Sequence, residues 1–149
     1  APVNVSAQMT NSTDFNSQII YLENGDYLET KIQSEQTKLP LSEISLFTRS
    51  TKQITKTKTS TYKSASGKSM WSVSITGTFT YNGSSAKCVS CSHSSKTYTT
   101  NWTIKSISSS KKDNSATVNA VVVHTYNNTC KTNINKNVTI TCSKNGTIS

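Results

Sequence analysis

Cysteine and histidine are the residues of this chain with the widest range of chemistry. Cys88, Cys91 and His93 lie within six positions of one another. Thiolate and imidazole ligands at this spacing are typical of half a zinc site, which needs four ligands in a tetrahedron. The second half is missing, because Cys130 and Cys142 are twelve positions apart. We therefore predict no metal site and prefer a disulfide framework, with zinc as the alternative.

Chain length limits how the four cysteines pair. Cys130 and Cys142 are predicted to bound one strand, and twelve extended steps of about 3.3 Å separate them by roughly 40 Å, too far for a bond. Cys88 and Cys91 are at most about 10 Å apart, so both can bond the other two only if residues 131–135 fold back or bulge. We predict a bond from Cys88 to Cys142, which faces the core within reach of a long loop holding Cys88. Cys91 with Cys130 is the second prediction; otherwise Cys130 is free or links two chains.

Catalytic groups are sparse. Hydrolysis usually needs two carboxylates, a nucleophile beside a base, or an open metal position. The chain has two histidines, His93 and His124, and a single acid after Glu43, which is Asp113 in a predicted turn. These residues do not form a recognisable catalytic dyad or triad in the sequence. We predict a non-catalytic protein without a cofactor, and an enzyme with an unreadable site is the alternative.

Aromatic residues outside the predicted core suggest a binding surface. Tyr62 and Tyr98 are expected to be exposed, and with His93 they are the predicted ligand-binding residues. The segment from Gly83 to Thr100 is predicted to be the longest loop, and loops are where contacts concentrate. The predicted function is therefore a secreted binding or interaction protein, with a cell-surface glycan, a wall polymer or a protein as the partner.

The net charge of +9 is concentrated after Glu43, where the chain has fourteen basic residues and a single acidic one. Such asymmetry favours polyanion or membrane-surface binding as the alternative function. No nucleic-acid-binding motif accompanies the charge, so no specific nucleic-acid partner is predicted. The predicted strand KQITKTKTSTYK places lysines on one face, either as a basic stripe or as protection of an edge strand. These lysines are Lys52, Lys56, Lys58 and, as a further candidate, Lys63.

The candidate residues named above must be held in place by the strands that the sequence predicts. Apolar residues alternate with Ser and Thr after Gly67, which is typical of a half-buried strand. Further apolar faces follow, and Asn24 with Gly25 predicts an early hairpin. The predicted core positions are Trp71, Val73, Ile75, Phe79, Tyr81, Trp102, Ile104, Val118, Ala120, Val122, Tyr126, Ile134, Val138, Ile140 and Cys142.

Short turns between six or more strands exclude a parallel sheet, which needs long crossovers. We predict an all-β antiparallel sandwich, as a Greek key or meander, with a closed β-barrel as the alternative. Residues 1–17 are predicted to be a flexible tail and residues 18–149 a single domain. The segment from Lys38 to Phe47 is either a short amphipathic helix or an irregular crossover.

The beginning of the chain and its composition suggest export. The sequence starts Ala1-Pro2 and contains no apolar run of about 18 residues that could span a bilayer. A removed signal peptide is the simplest cause of such a start, and an engineered boundary would look the same. An even number of cysteines in a Thr/Ser-rich chain favours an oxidising, extracellular setting.

Two stretches, TYKSASGKSMWSVSITGTFTYNGSSAKC and VTITCSKNGTIS, carry a resemblance. They resemble small secreted β-rich proteins of Clostridium-like gut bacteria that carry a domain of unknown function, over about residues 49–149. The resemblance implies export and the pairing of Cys88 with Cys142, with Cys91 and Cys130 as additions to the pattern. It implies no activity for any residue.

Overall fold

The computed structural model describes residues 17–34, 51–125 and 131–149. Eight strands account for most of these residues, and no helix occurs among them. The strands are β1 (Ser17–Tyr21), β2 (Tyr27–Ser34), β3 (Lys52–Lys63), β4 (Ser69–Tyr81), β5 (Ala86–Thr97), β6 (Trp102–Lys112), β7 (Ser115–Thr125) and β8 (Lys131–Thr141). The predicted all-β class is confirmed.

Two antiparallel sheets form the fold. Sheet A has the order β1-β2-β3-β4-β5 and sheet B the order β6-β7-β8, so within each sheet the strands pair in the order of the chain. This strand order is a meander, one of the two predicted topologies, and not a Greek key. The sheets are not closed into a barrel, so the barrel alternative is wrong and the fold is consistent with a β-sandwich. Below, the inward face of sheet A is the one that packs against sheet B, and the outward face is its opposite.

The core follows the alternation seen in the sequence. The apolar residues of one phase on β4 are inward and buried, from Trp71 to Phe79, and those of β7 face them. The buried positions that the sequence predicted are Trp71, Val73, Ile75, Phe79, Trp102, Val118, Ala120, Val122, Val138, Ile140 and Cys142. Tyr81, Ile104 and Ile134 pack against them half-buried. Ser and Thr fill the other phase, because it faces solvent.

Three β-bulges interrupt the alternation. The pairing register shifts opposite Met70 in β4, at Val89 in β5 and at Lys105 in β6. A bulge adds one residue to one strand, so the residues beyond it change faces relative to a strict period of two. The shifts at Met70 and Val89 decide which side chains share a face in sheet A, and the shift at Lys105 does the same in sheet B.

The predicted hairpin around Gly25 is present, with Gly25 at a φ of 92°. Asp26 ties its turn to the next one: Tyr62 Oη donates to Asp26 Oδ2 at 2.7 Å, and the Ala65 amide donates to Oδ1 at 3.0 Å. A carboxylate that joins two turns in this way holds the ends of β2 and β3 together.

Replacing Asp26 with Asn is expected to lower the free energy of unfolding by about 1–2 kcal/mol, because the amide group cannot accept at both positions and Tyr62 Oη loses a charged acceptor. Urea unfolding at pH 7 measures the loss. Asp113→Asn, an exposed acid in another turn, is the control and should change stability by less than about 0.5 kcal/mol. Equal effects of the two variants would contradict this role of Asp26.

Several predictions fall outside the residues that the structure describes. They concern the tail before Ser17, the segment from Lys38 to Phe47, Tyr126 in the core and the pairing of Cys130. Among the described residues, no helix is long and apolar enough to cross a membrane.

Candidate functional site

A polar groove lies on the outward face of sheet A. Its volume is about 240 Å³, below the roughly 300–1,000 Å³ of clefts that hold drug-sized ligands. The groove therefore fits a ligand of one or two small rings. Its lining residues are Glu29, Lys31, Gln33, Thr59, Thr61, Lys63, Ser69 and Tyr98.

Alternation and one bulge build this groove. On β3, Thr59 and Thr61 face outward because Ser60 and Tyr62 are buried on the other side. The shift opposite Met70 then pairs Lys63 with Ser69, which turns Ser69 outward although Trp71, in the same phase, is inward. The Tyr98 amide donates to the Met70 carbonyl at 2.9 Å, so the bulge also anchors the tyrosine that follows β5.

The groove carries both signs of charge. Lys63 Nζ lies 2.8 Å from Glu29 Oε1, and Lys31 Nζ lies 3.8 Å from Oε2. The hydrogen bond to Glu29 raises the pKa of Lys63, so this lysine stays charged. Lys96 Nζ lies 4.9 Å from the centroid of the Tyr98 ring, within the range of a cation–π contact. The groove thus combines a carboxylate, ammonium groups, hydroxyls, an amide and an aromatic ring.

Tyr98 is exposed, as the sequence predicted, with 46% of its surface accessible. It is the one predicted ligand-binding residue that lines the groove. The neighbouring groove residues on β2 were not predicted as a site, because nothing in the sequence pairs β2 with β3 across the intervening segment. The structure pairs Glu29 with Thr61 and Lys31 with Thr59 across the two strands. The sequence alone does not show these pairs.

The prediction that Tyr62 is exposed is wrong. Tyr62 is 8% exposed and lies on the inward face of sheet A. Its ring stacks on Trp71 at 5.7 Å between centroids and contacts Trp102 at 5.0 Å. Trp102 in turn stacks on His124 at 4.0 Å. Tyr62 therefore belongs to an aromatic cluster inside the sandwich and is not available to a ligand.

His93 lies on the other face from Tyr98. It is exposed on β5 and pairs with Ile75, which is buried on the inward face, so the structure does not bring His93 and Tyr98 together. His93 Nδ1 is 2.7 Å from Ser109 Oγ. A base at this distance from a hydroxyl is half of a nucleophilic site, which also needs a group that orients the base. Among the described residues, no carboxylate hydrogen-bonds to His93, so the pair shows only a hydrogen bond between strands.

The segment from Gly83 to Thr100 is not a loop, so that prediction is wrong: β5 spans most of it. The bulge at Val89 places both Cys88 and Cys91 on the inward face, opposite Phe79 and Gly77. Within the described residues, no three or more potential metal ligands cluster.

Cys88 and Cys142 both hydrogen-bond through their backbones to the turn between β6 and β7. The Cys88 amide donates to the Asp113 carbonyl at 2.7 Å and the Cys142 amide to the Asn114 carbonyl at 3.0 Å. Both cysteines are buried, and burial is the main cause that raises the pKa of each thiol. Cys88, Cys91 and Cys142 are free thiols in this structure.

The edge-strand interpretation of the β3 lysines is wrong. Sheet A places β3 between β2 and β4, so its backbone is paired on both sides. Lys58 instead reaches sheet B, where its Nζ donates to the Thr139 carbonyl of β8 at 2.9 Å. Lys63 lies in the outward groove, apart from the other three.

Comparison with protein-family models, with curated proteins and with solved structures finds no match for this chain.

Proposed function

We propose that the chain is an exported, non-catalytic binding module that holds a saccharide in the groove on the outward face of sheet A. The observation that carries the proposal is the exposed Tyr98 ring beside a groove lined by hydroxyls, an amide and a carboxylate. Binding sites usually combine an apolar or aromatic surface with a few polar groups that fix orientation.

The chemistry of the lining matches a sugar ring. Sugar hydroxyls donate and accept, so they pair with Glu29 and with the Gln33 amide, which carries both functions. The apolar C–H face of a pyranose packs on an aromatic ring, and Tyr98 offers one at the rim. A groove of about 240 Å³ suits one or two such rings.

Charge alone is a weaker explanation of this groove. Glu29 lies between Lys31 and Lys63 and compensates part of their charge. Exposed charges separated by more than about 10 Å are screened at 0.1 M salt. A ligand held mainly by hydroxyls and stacking is therefore expected to bind with little dependence on salt, whereas a polyanion would bind with a steep dependence.

A glycan array probed with labelled protein at 50 mM and 500 mM salt tests the proposal. We expect a saccharide whose signal changes by less than about twofold between the two salts. Tyr98→Ala should weaken that binding about tenfold, because an aromatic anchor typically contributes more than about 1 kcal/mol.

Tyr21→Ala is the matched control, because Tyr21 is 49% exposed on β1 and does not line the groove. It should bind as the wild type does. The proposal fails if no glycan binds, or if Tyr98→Ala and Tyr21→Ala bind equally well.

We also propose that Cys88 and Cys142 form a disulfide in an oxidising compartment. The support is their shared turn, because the amides of the two cysteines donate to the carbonyls of consecutive residues, Asp113 and Asn114. Such a bond would join β5 of sheet A to the end of β8 in sheet B.

A further inference from the structure

The inward side of β3 carries two lysines. Lys56 pairs with Gly77 and Lys58 with Ile75, and both of these β4 residues are buried on the inward face. Both lysines are half-buried. Charged side chains on the interior side of a sandwich are costly unless something compensates them. Since β3 has no free edge, edge protection does not explain them.

A third lysine approaches from the facing sheet. Lys136 lies on β8 and pairs with Ala120, which is buried between the sheets, so Lys136 is on the interior side of sheet B. Lys58 reaches the same strand, with its Nζ 2.9 Å from the Thr139 carbonyl. Burial lowers the pKa of both Lys58 and Lys136, and the charge of Lys58 lowers that of Lys136 further.

No acid compensates this pair among the described residues. The ion pairs of that part of the chain both involve Glu29, which is on the outward face of sheet A. Like charges in a partly desolvated position repel each other more strongly than in water. The arrangement therefore has an unmatched positive charge where the two sheets meet.

A buried hydroxyl lies on the same face of β3 as Lys58. Ser60 follows Lys58 by two positions on the same face of β3 and is 1% exposed. Its Oγ has no hydrogen-bond partner. A buried polar atom without a partner costs roughly 1–3 kcal/mol in proteins, and a bound ion at the site is one way to offset that cost.

We propose that Lys58, Lys136 and Ser60 hold an oxyanion, a phosphate or sulfate group, between β3 and β8. Two ammonium groups from opposite sheets supply the charge, and ammonium-to-phosphate hydrogen bonds are among the stronger ones in proteins. The Ser60 hydroxyl donates a further bond. This site lies on the other side of sheet A from the saccharide groove and does not depend on it.

Thermal unfolding at constant ionic strength tests the site, with chloride replaced by inorganic phosphate up to 20 mM. We expect the wild-type Tm to rise by roughly 2–6 °C, since a ligand that binds only the folded state stabilises it. Lys136→Met keeps the aliphatic stem and removes the charge. We expect phosphate to raise the Tm of this variant by less than about a third of the rise seen for the wild type. Lys144→Met, at an exposed position, is the control and should respond as the wild type does.

Phosphorus-31 line broadening at 25 °C gives a second readout that does not depend on stability. Broadening by wild type and Lys144→Met, but not by Lys136→Met or Lys58→Met, supports the site. A parallel titration with glucose 6-phosphate identifies the source: a larger Tm rise than with inorganic phosphate indicates a phosphorylated sugar, and an equal or smaller one indicates the free anion. The proposal is overturned if wild type shows no response, or if Lys136→Met responds as fully as wild type.

Discussion

Replacing Trp71 with alanine is expected to lower the free energy of unfolding by about 3–5 kcal/mol. Trp71 is 1% exposed and joins both sheets: its ring stacks on Tyr62 of β3 and lies 6.1 Å from the ring of Trp102 on β6. The substitution removes these contacts and leaves a cavity. Because the strands on both sides of the cavity are paired, we expect them to fill it only in part. The core of this Thr/Ser-rich chain is small, so the loss is a large share of its total stability.

Urea unfolding followed by tryptophan fluorescence and far-UV circular dichroism measures the change. Trp71→Phe should lose much less, because it keeps an aromatic ring and removes Nε1, a buried donor without a hydrogen-bond partner. Tyr98→Ala, at an exposed aromatic position, should change stability by less than about 0.5 kcal/mol. A loss below 1 kcal/mol for Trp71→Ala would show that the aromatic cluster is not part of the core.

Reducing the air-oxidised protein is expected to lower its free energy of unfolding by about 4 kcal/mol. This value follows from the proposed bond between Cys88 and Cys142, which closes a loop of about 55 residues and so restricts the unfolded chain. Denaturant midpoints with and without a phosphine reductant measure the difference. Intact mass before and after alkylation of the unreduced protein counts the thiols that are free.

Two single variants assign the bond. Cys142→Ala should abolish the response to reductant, and Cys91→Ala should keep it in full, because Cys91 has no place in the proposed bond. The reverse pattern would assign the bond to Cys91. Four alkylated thiols in protein purified without reductant, together with an unchanged midpoint on reduction, would refute the disulfide altogether.

Local patterns in the sequence predicted the strands of this fold correctly, except for β5. Alternation of apolar with Ser and Thr residues identified β4 and its inward face, because side chains of a strand point alternately to the two sides. Short polar turns then required antiparallel neighbours, and all strands of both sheets pair in that way. Trp71 and Trp102 were correctly predicted to be core residues, since both are in phase with apolar neighbours.

Strict alternation failed where a bulge or a neighbouring strand intervened. Tyr62 was predicted to be exposed, yet its ring is covered by Trp102 from the other sheet, a contact between residues forty positions apart. The segment from Gly83 to Thr100 was predicted to be a loop because it was the longest segment without a regular pattern. It is a strand because β4 offers it a complete set of hydrogen-bonding partners.

The sequence by itself determined the all-β class and the predicted core of β4 and β7, because these depend on periods and turns within a few residues. Only the tertiary structure decided which residues share a site. It brought Glu29 beside Lys63, the backbones of Cys88 and Cys142 to one turn, and the Lys58 ammonium group to the carbonyl of Thr139 on β8. The physical reason is register: one bulged residue turns the side chains beyond it to the other face, and strands distant in the chain meet only when the sheets pack.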